Sequence, residues 1–175
     1  EGIPMKLGHC MTALITPMTE AGELDLPALS NLVEKLIAEG CDGFVVCGTT
    51  AEASALNREE KQQVLRCVLK QSEGRVCVWM GCGTNNTAET LDLIRWVNAE
   101  PVDGIMLVCP YYVRPSQQGL YAHFAACARV SEKPLMLYNV PKRSGVALSA
   151  ETVIRLAQDY PQIRALKQAC HDMEM

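Results

Sequence analysis

What most constrains the fold of this sequence is a recurring pair: a short, almost uninterrupted apolar run, a polar turn, then a segment with apolar residues at helical spacing. The pair returns about every 30 residues, the length of one βα unit. Runs at 11–15, 43–47, 76–81, 104–109, 135–138 and 163–167 read as strands, and segments at 26–39, 58–72, 87–98, 117–130 and 150–159 read as helices. The runs lack the apolar–polar alternation of a strand with one wet face, so they fit strands buried on both faces of a parallel sheet. In the first helical segment Leu29, Leu32, Val33, Leu36 and Ile37 fall at i, i+3, i+4, i+7 and i+8, a stripe that must face such a sheet.

The boundaries agree with this division. Asn57 with Glu60 three residues on forms a capping arrangement, Asp25, Asn86, Ser116 and Ser149 are suitable N-caps, and Gly40 suits a C-terminal stop. Strands alternating with helices imply right-handed crossovers and a parallel sheet, either a (β/α) barrel or a doubly wound sheet. No Gly/Ser-rich linker, low-complexity tract or break in composition divides the chain, which reads as a single domain over residues 1–175.

Composition excludes several classes. The 175 residues are 49% hydrophobic and 21% charged, enough for a sizeable core. A formal charge of -4 offers no basic face for a phosphate backbone, so a small molecule is the expected partner rather than nucleic acid. No run approaches the roughly 18 apolar residues needed to span a bilayer, and no basic segment followed by an apolar core opens the chain, so the expectation is no membrane contact and a cytoplasmic location. Nine cysteines cannot all pair within one chain, and Cys47, Cys77, Cys109 and Cys127 lie in apolar segments as reduced packing residues would. The ligand pairs of a zinc site are missing: His9, Cys10 and Cys82 are fragments only.

Chemistry-bearing residues gather just after the apolar runs, where parallel α/β folds place their sites. Lys167 closes the run that begins at Ile163. A lysine ending a buried strand is partly desolvated, which favours the neutral amine needed to attack a carbonyl; alternatively it snorkels to water. Tyr138 ends the preceding run, before a sharp turn at Asn139-Val140-Pro141, and its phenol is either a proton shuttle or a packed ring. Arg143 on the following loop is a bidentate carboxylate ligand or a solvated side chain. Gly48-Thr49-Thr50 offers backbone N–H groups and two hydroxyls to an anion, or is a plain strand-to-helix turn. Gly81-Cys82-Gly83-Thr84 lacks the third glycine of a dinucleotide site, and Thr16-Pro17-Met18 stands where a phosphate loop would follow the first strand.

In this order, Gly48-Thr49-Thr50-Ala51-Glu52, Pro110-Tyr111-Tyr112-Val113-Arg114-Pro115 and the run from Tyr138 to Gly145 resemble the G-T-T-G-E, P-Y-Y-N-R-P and Y-N-V-P-x-R-T-G motifs of one family. It is the dihydrodipicolinate synthase and N-acetylneuraminate lyase group of pyruvate aldolases, which are parallel (β/α)8 TIM barrels. The likeness spans nearly the whole chain, and within the group Arg143 and the paired tyrosines favour the dihydrodipicolinate synthase branch over the sialic-acid and sugar-acid lyases. It implies a Schiff-base lyase in lysine and diaminopimelate biosynthesis, condensing pyruvate with aspartate semialdehyde and needing no metal or cofactor. By the same resemblance Lys167 forms the imine and Tyr138 shuttles protons. Thr50, with Gly48 and the adjacent backbone, holds the pyruvate carboxylate. Thr49 links Tyr138 to Tyr112, a tyrosine shared across the interface of a homodimer or homotetramer, and Arg143 holds the semialdehyde carboxylate.

The departures matter as well. Ala51 replaces a glycine, which bears on the loop if that position needs a positive φ. Lys167-Gln168-Ala169-Cys170-His171 replaces K-E-A-S/T-G and removes a carboxylate beside the nucleophile. Resemblance places an inhibitory lysine site at Ala53, Arg58, Lys61, Asn85, Glu89 and Tyr111, with Arg58 and Lys61 where sensitive enzymes carry histidines. The two cations repel a cationic ligand, so inhibition is expected to be weak or absent. A barrel of eight units takes about 250 residues, whereas about six units fit here. The chain also opens on Glu1, so a piece of a longer polypeptide, a fold completed by another chain and an inactive fragment are the open expectations. A non-catalytic assembly subunit that keeps these residues as relics is the alternative to the lyase.

Overall fold

The computed structural model describes residues 5–170, which divide into two compact units. The first runs from Lys6 to Gly81 and includes Pro101–Asp103. Its elements are β1 (Met11–Ala13), α1 (Leu26–Ala38), β2 (Gly43–Val46), α2 (Arg58–Ser72) and β3 (Cys77–Gly81). The strands run parallel in that order, with Thr12 opposite Phe44 and Phe44 opposite Val78. Every residue of β2 is buried, and Phe44, Val46, Trp79 and Met80 are fully so. Leu29 and Val33 of the α1 stripe and Val64, Leu65 and Val68 of α2 complete this core. Asp25 caps α1 through the Ala28 N–H, and Asn57 and Glu60 form the reciprocal capping box of α2. Gly40 takes a φ of +96° after α1, where a side chain would be strained.

The second unit holds Cys82–Glu100 and the chain from Gly104 onward. It contains α3 (Thr87–Asn98), β4 (Gly104–Val108), α4 (Gln117–Val130), β5 (Leu135–Asn139), α5 (Pro141–Ser144), α6 (Ala150–Asp159) and β6 (Ile163–Gln168). Strands β4, β5 and β6 are parallel neighbours, and Asn86, Ser116 and Ser149 cap α3, α4 and α6. β5 is buried throughout, whereas β6 alternates between buried, half-buried and exposed positions. His123, Phe124, Cys127 and Ala128 of α4 pack inward.

The strands and helices expected from periodicity are all present, with ends displaced by one or two residues. The first strand stops at Ala13, and Ile15 is 51% exposed. The sharp turn expected at Asn139-Val140-Pro141 is instead the end of β5 followed by α5, a helical turn with Pro141 at its first position and Gly145 closing it at φ +74°. Arg143 therefore stands on a helical turn and not on a loop.

Candidate active site

Sheet register places Lys167 beside Tyr138. The β5–β6 ladder slips by one residue early on: Leu135 faces Ile163, but Met136 faces Ala165, which makes Arg164 the extra residue of a bulge. Without the slip Tyr138 would face Leu166; with it Tyr138 faces Lys167. Because side chains alternate between faces, that one residue decides whether an amine or an isobutyl group shares the phenol's face. Lys167 Nζ lies over the Tyr138 ring, 4.4 Å from its centroid. The ring is 6% exposed and the lysine half-buried. Burial disfavours the ammonium ion and holds the Lys167 pKa below the ordinary 10.5, toward the form that can act as a nucleophile.

Around this pair, two stretches are stapled together. The Tyr112 N–H donates to the Ser144 carbonyl at 3.1 Å, and Arg114 Nε donates to the Gly145 carbonyl at 3.1 Å. Tyr112 and Arg114 adopt left-handed backbone, φ +72° and +47°, and Tyr112 is 88% exposed. Arg143, one residue before Ser144, is exposed, while Ser144 is buried and donates from its hydroxyl within its own turn. Beside them, burial and the Glu89 charge push the Tyr111 phenol pKa up, against a backbone hydrogen bond with Asn85. Three of the six residues of the expected lysine site are thus neighbours within this unit.

The other expected residues lie on the first unit. Cys47 directly follows β2 with φ +55°, and a Cβ at Gly81 would run into its carbonyl oxygen, so the approach needs glycine there. Gly48 then opens a 3-10 turn, Thr49–Ala51, and a second covers Ala53–Ala55. Thr49 and Thr50 are exposed, and Thr16 Oγ1 donates to the Ala51 carbonyl at 2.9 Å. Ala51 itself is buried and right-handed; the left-handed position is Glu52, at φ +55°, so a methyl group at 51 is accommodated. Arg58 is exposed at the start of α2, whereas Lys61 is 8% exposed and its charge acts on the Cys47 thiol.

Asn139 lies in the run that resembles Y-N-V-P, a likeness that assigns it no role. It is 1% exposed and its side chain bonds both Leu148 and Gln168. The available signal was its place directly after a strand-ending tyrosine, where a buried carboxamide must find partners. The altered run after Lys167 is described as far as Cys170, and His171 lies outside the described residues.

The sequence profile of the Dihydrodipicolinate synthetase family matches residues 6–175. A 4-hydroxy-tetrahydrodipicolinate synthase of Bacillus subtilis is 44% identical over 97% of this chain and 59% of its own length. A second such synthase, of Halalkalibacterium halodurans, is 46% identical over 97% of this chain and 58% of its own. A crystal structure of dihydrodipicolinate synthase from Acinetobacter baumannii, complexed with pyruvate, superposes with a TM-score of 0.92 at 40% identity, over 95% of this chain and 57% of that one. The fold is therefore that of the parallel (β/α)8 barrel class, of which six strands lie among the described residues. The chain belongs to the dihydrodipicolinate synthetase family, and it spans a little under three fifths of the length of these relatives.

Proposed function

We propose that this chain carries the nucleophile of a pyruvate-dependent Schiff-base lyase that condenses pyruvate with L-aspartate 4-semialdehyde to 4-hydroxy-tetrahydrodipicolinate. The observation that carries the reading is the half-buried Lys167 amine, its pKa lowered by burial, held over the Tyr138 ring. In this reading the neutral amine adds to the keto carbon of pyruvate and Tyr138 passes the protons that convert the adduct to an imine with loss of water. Loss of a methyl proton gives the enamine, whose carbon attacks the aldehyde. Ring closure by the amino group of the semialdehyde then displaces Lys167. By the resemblance, Thr50 and the Gly48 turn are assigned the pyruvate carboxylate and Thr49 a part in proton relay, and Arg143 meets the second carboxylate with its planar fork. The exposure of Tyr112, 88%, leaves its ring available for use between subunits of a homo-oligomer, where tyrosine is an enriched residue type.

Incubation with pyruvate and borohydride, followed by mass spectrometry, tests the reading. A reduced pyruvyl adduct on the peptide containing Lys167, lost in Lys167→Ala, is expected; its absence from a folded sample refutes it. Aspartate semialdehyde is the substrate to add next.

A further inference from the structure

The proposed chemistry draws on side chains of separate stretches: Tyr138 and Arg143 on one, Lys167 on the other. Asn139 joins them. It closes β5 directly after Tyr138, and its Oδ1 accepts from the Leu148 N–H at 3.0 Å. Its Nδ2 donates to the Leu148 carbonyl at 3.4 Å and to Gln168 Oε1 at 2.9 Å. Its backbone carbonyl accepts from the Ala169 N–H at 2.9 Å. One buried carboxamide therefore grips the far end of the 140–148 segment, which carries Arg143, and the residue next to Lys167. Gln168 is itself engaged on its other side, donating from Nε2 to Cys170 Sγ at 3.0 Å, which directs its oxygen toward Asn139.

We propose that Asn139 is a positioning residue: its carboxamide couples the Arg143-bearing segment to the Lys167 strand end, and the Gln168 side-chain oxygen is the acceptor that completes the coupling. The proposal rests on the reading of Lys167 as nucleophile for its catalytic consequence, though not for the coupling itself. The geometry requires an acceptor oxygen at position 168 and is indifferent to whether an amide or a carboxylate supplies it. Nucleophile and carboxylate-binding arginine then move as one body, and an error in one is an error in both.

The test compares Gln168→Leu, which removes the acceptor, with Gln168→Glu, which keeps it. Gln168 is half-buried, so both variants are expected to fold. Hydrogen exchange of the Leu148 and Ala169 amides reads the coupling directly, and the limiting rate of borohydride trapping with pyruvate at high pH reads its effect on Lys167 free of any change in amine charge. In Gln168→Leu exchange at both amides is expected to quicken about tenfold and trapping to slow about tenfold, as loss of one buried hydrogen bond implies, with exchange in β2 unchanged. Gln168→Glu restores both. Exchange in Gln168→Leu that matches the parent, or a Gln168→Glu variant that behaves like Gln168→Leu, overturns the proposal. If the parent itself traps no pyruvate, the lyase reading falls while the exchange comparison still decides the coupling.

Discussion

Removing only the hydroxyl of Tyr138 separates the packing of its ring from the proposed proton shuttle. In Tyr138→Phe the ring remains beneath Lys167 Nζ at its 4.4 Å centroid distance, so the contact between ring and amine is retained. The packing of a residue 6% exposed is retained as well. What disappears is the hydroxyl that the proposed shuttle uses as proton donor and acceptor. General acid–base catalysis by a positioned side chain contributes roughly 10²–10⁴-fold. At 1.36 kcal/mol per decade that is about 3–5 kcal/mol of barrier. The initial rate of borohydride-trapped adduct formation at saturating pyruvate is therefore expected to fall by about 100-fold or more near neutral pH, with the thermal midpoint held within about 2 °C. A Tyr138→Phe chain that traps pyruvate at close to the parent's rate, folded to the same extent, refutes the shuttle and leaves the ring as a packing element under the amine.

Two further outcomes follow from charge and burial. His123 is 5% exposed, bonded at Nδ1 to Thr87 Oγ1 at 2.8 Å, and burial lowers its pKa from 6.5 to about 4. Between those values the unfolded chain takes up a proton that the folded chain refuses, so stability fully present above pH 6.5 is lost as pH falls toward 4, by about 3 kcal/mol in total. Urea unfolding from pH 7 to pH 4 measures it, and His123→Gln is expected to flatten that part of the profile; a slope equal to the parent's refutes the assignment. For feedback, the cations of Arg58 and Lys61 oppose a cationic ligand, so lysine at millimolar concentration is expected to leave the active protein's rate nearly unchanged, with Arg58→His and Lys61→His together increasing sensitivity. A submicromolar inhibition constant in the parent overturns this.

The helices and strands were legible because each carries its own period and its own cap: the Leu29–Val33 stripe, the Asn57–Glu60 box and the unbroken apolar β5 all speak locally. The site was legible as a set of residue types and only partly as geometry. The pairing of Tyr138 with Lys167 depends on the bulge at Arg164, and nothing in the local sequence of β6 announces a slip, because register is a property of two strands together. The left-handed backbone at Cys47, Glu52, Tyr112 and Arg114 was equally hidden, since none is glycine and each is imposed by its neighbours. The α5 turn could have been found: Pro141 at its first position and Gly145 just past its end is the ordinary asymmetry of a helix, read here as a sharp turn because the element is only one turn long.

Burial also sorts the nucleophiles of this neighbourhood. Cys109 follows β4, whose Val108 lies opposite Tyr138, and its N–H donates to the Tyr138 carbonyl at 3.2 Å. Desolvation pushes its thiol up to about 12, so at neutral pH only about one thiol in 10⁵ is the reactive anion. The same desolvation acts on Lys167 with opposite sign, because the reactive form of an amine is neutral and that of a thiol is charged. At these strand ends burial therefore favours the reactive form of the amine and suppresses that of the sulfur, and the two nucleophiles are told apart without any residue dedicated to the distinction.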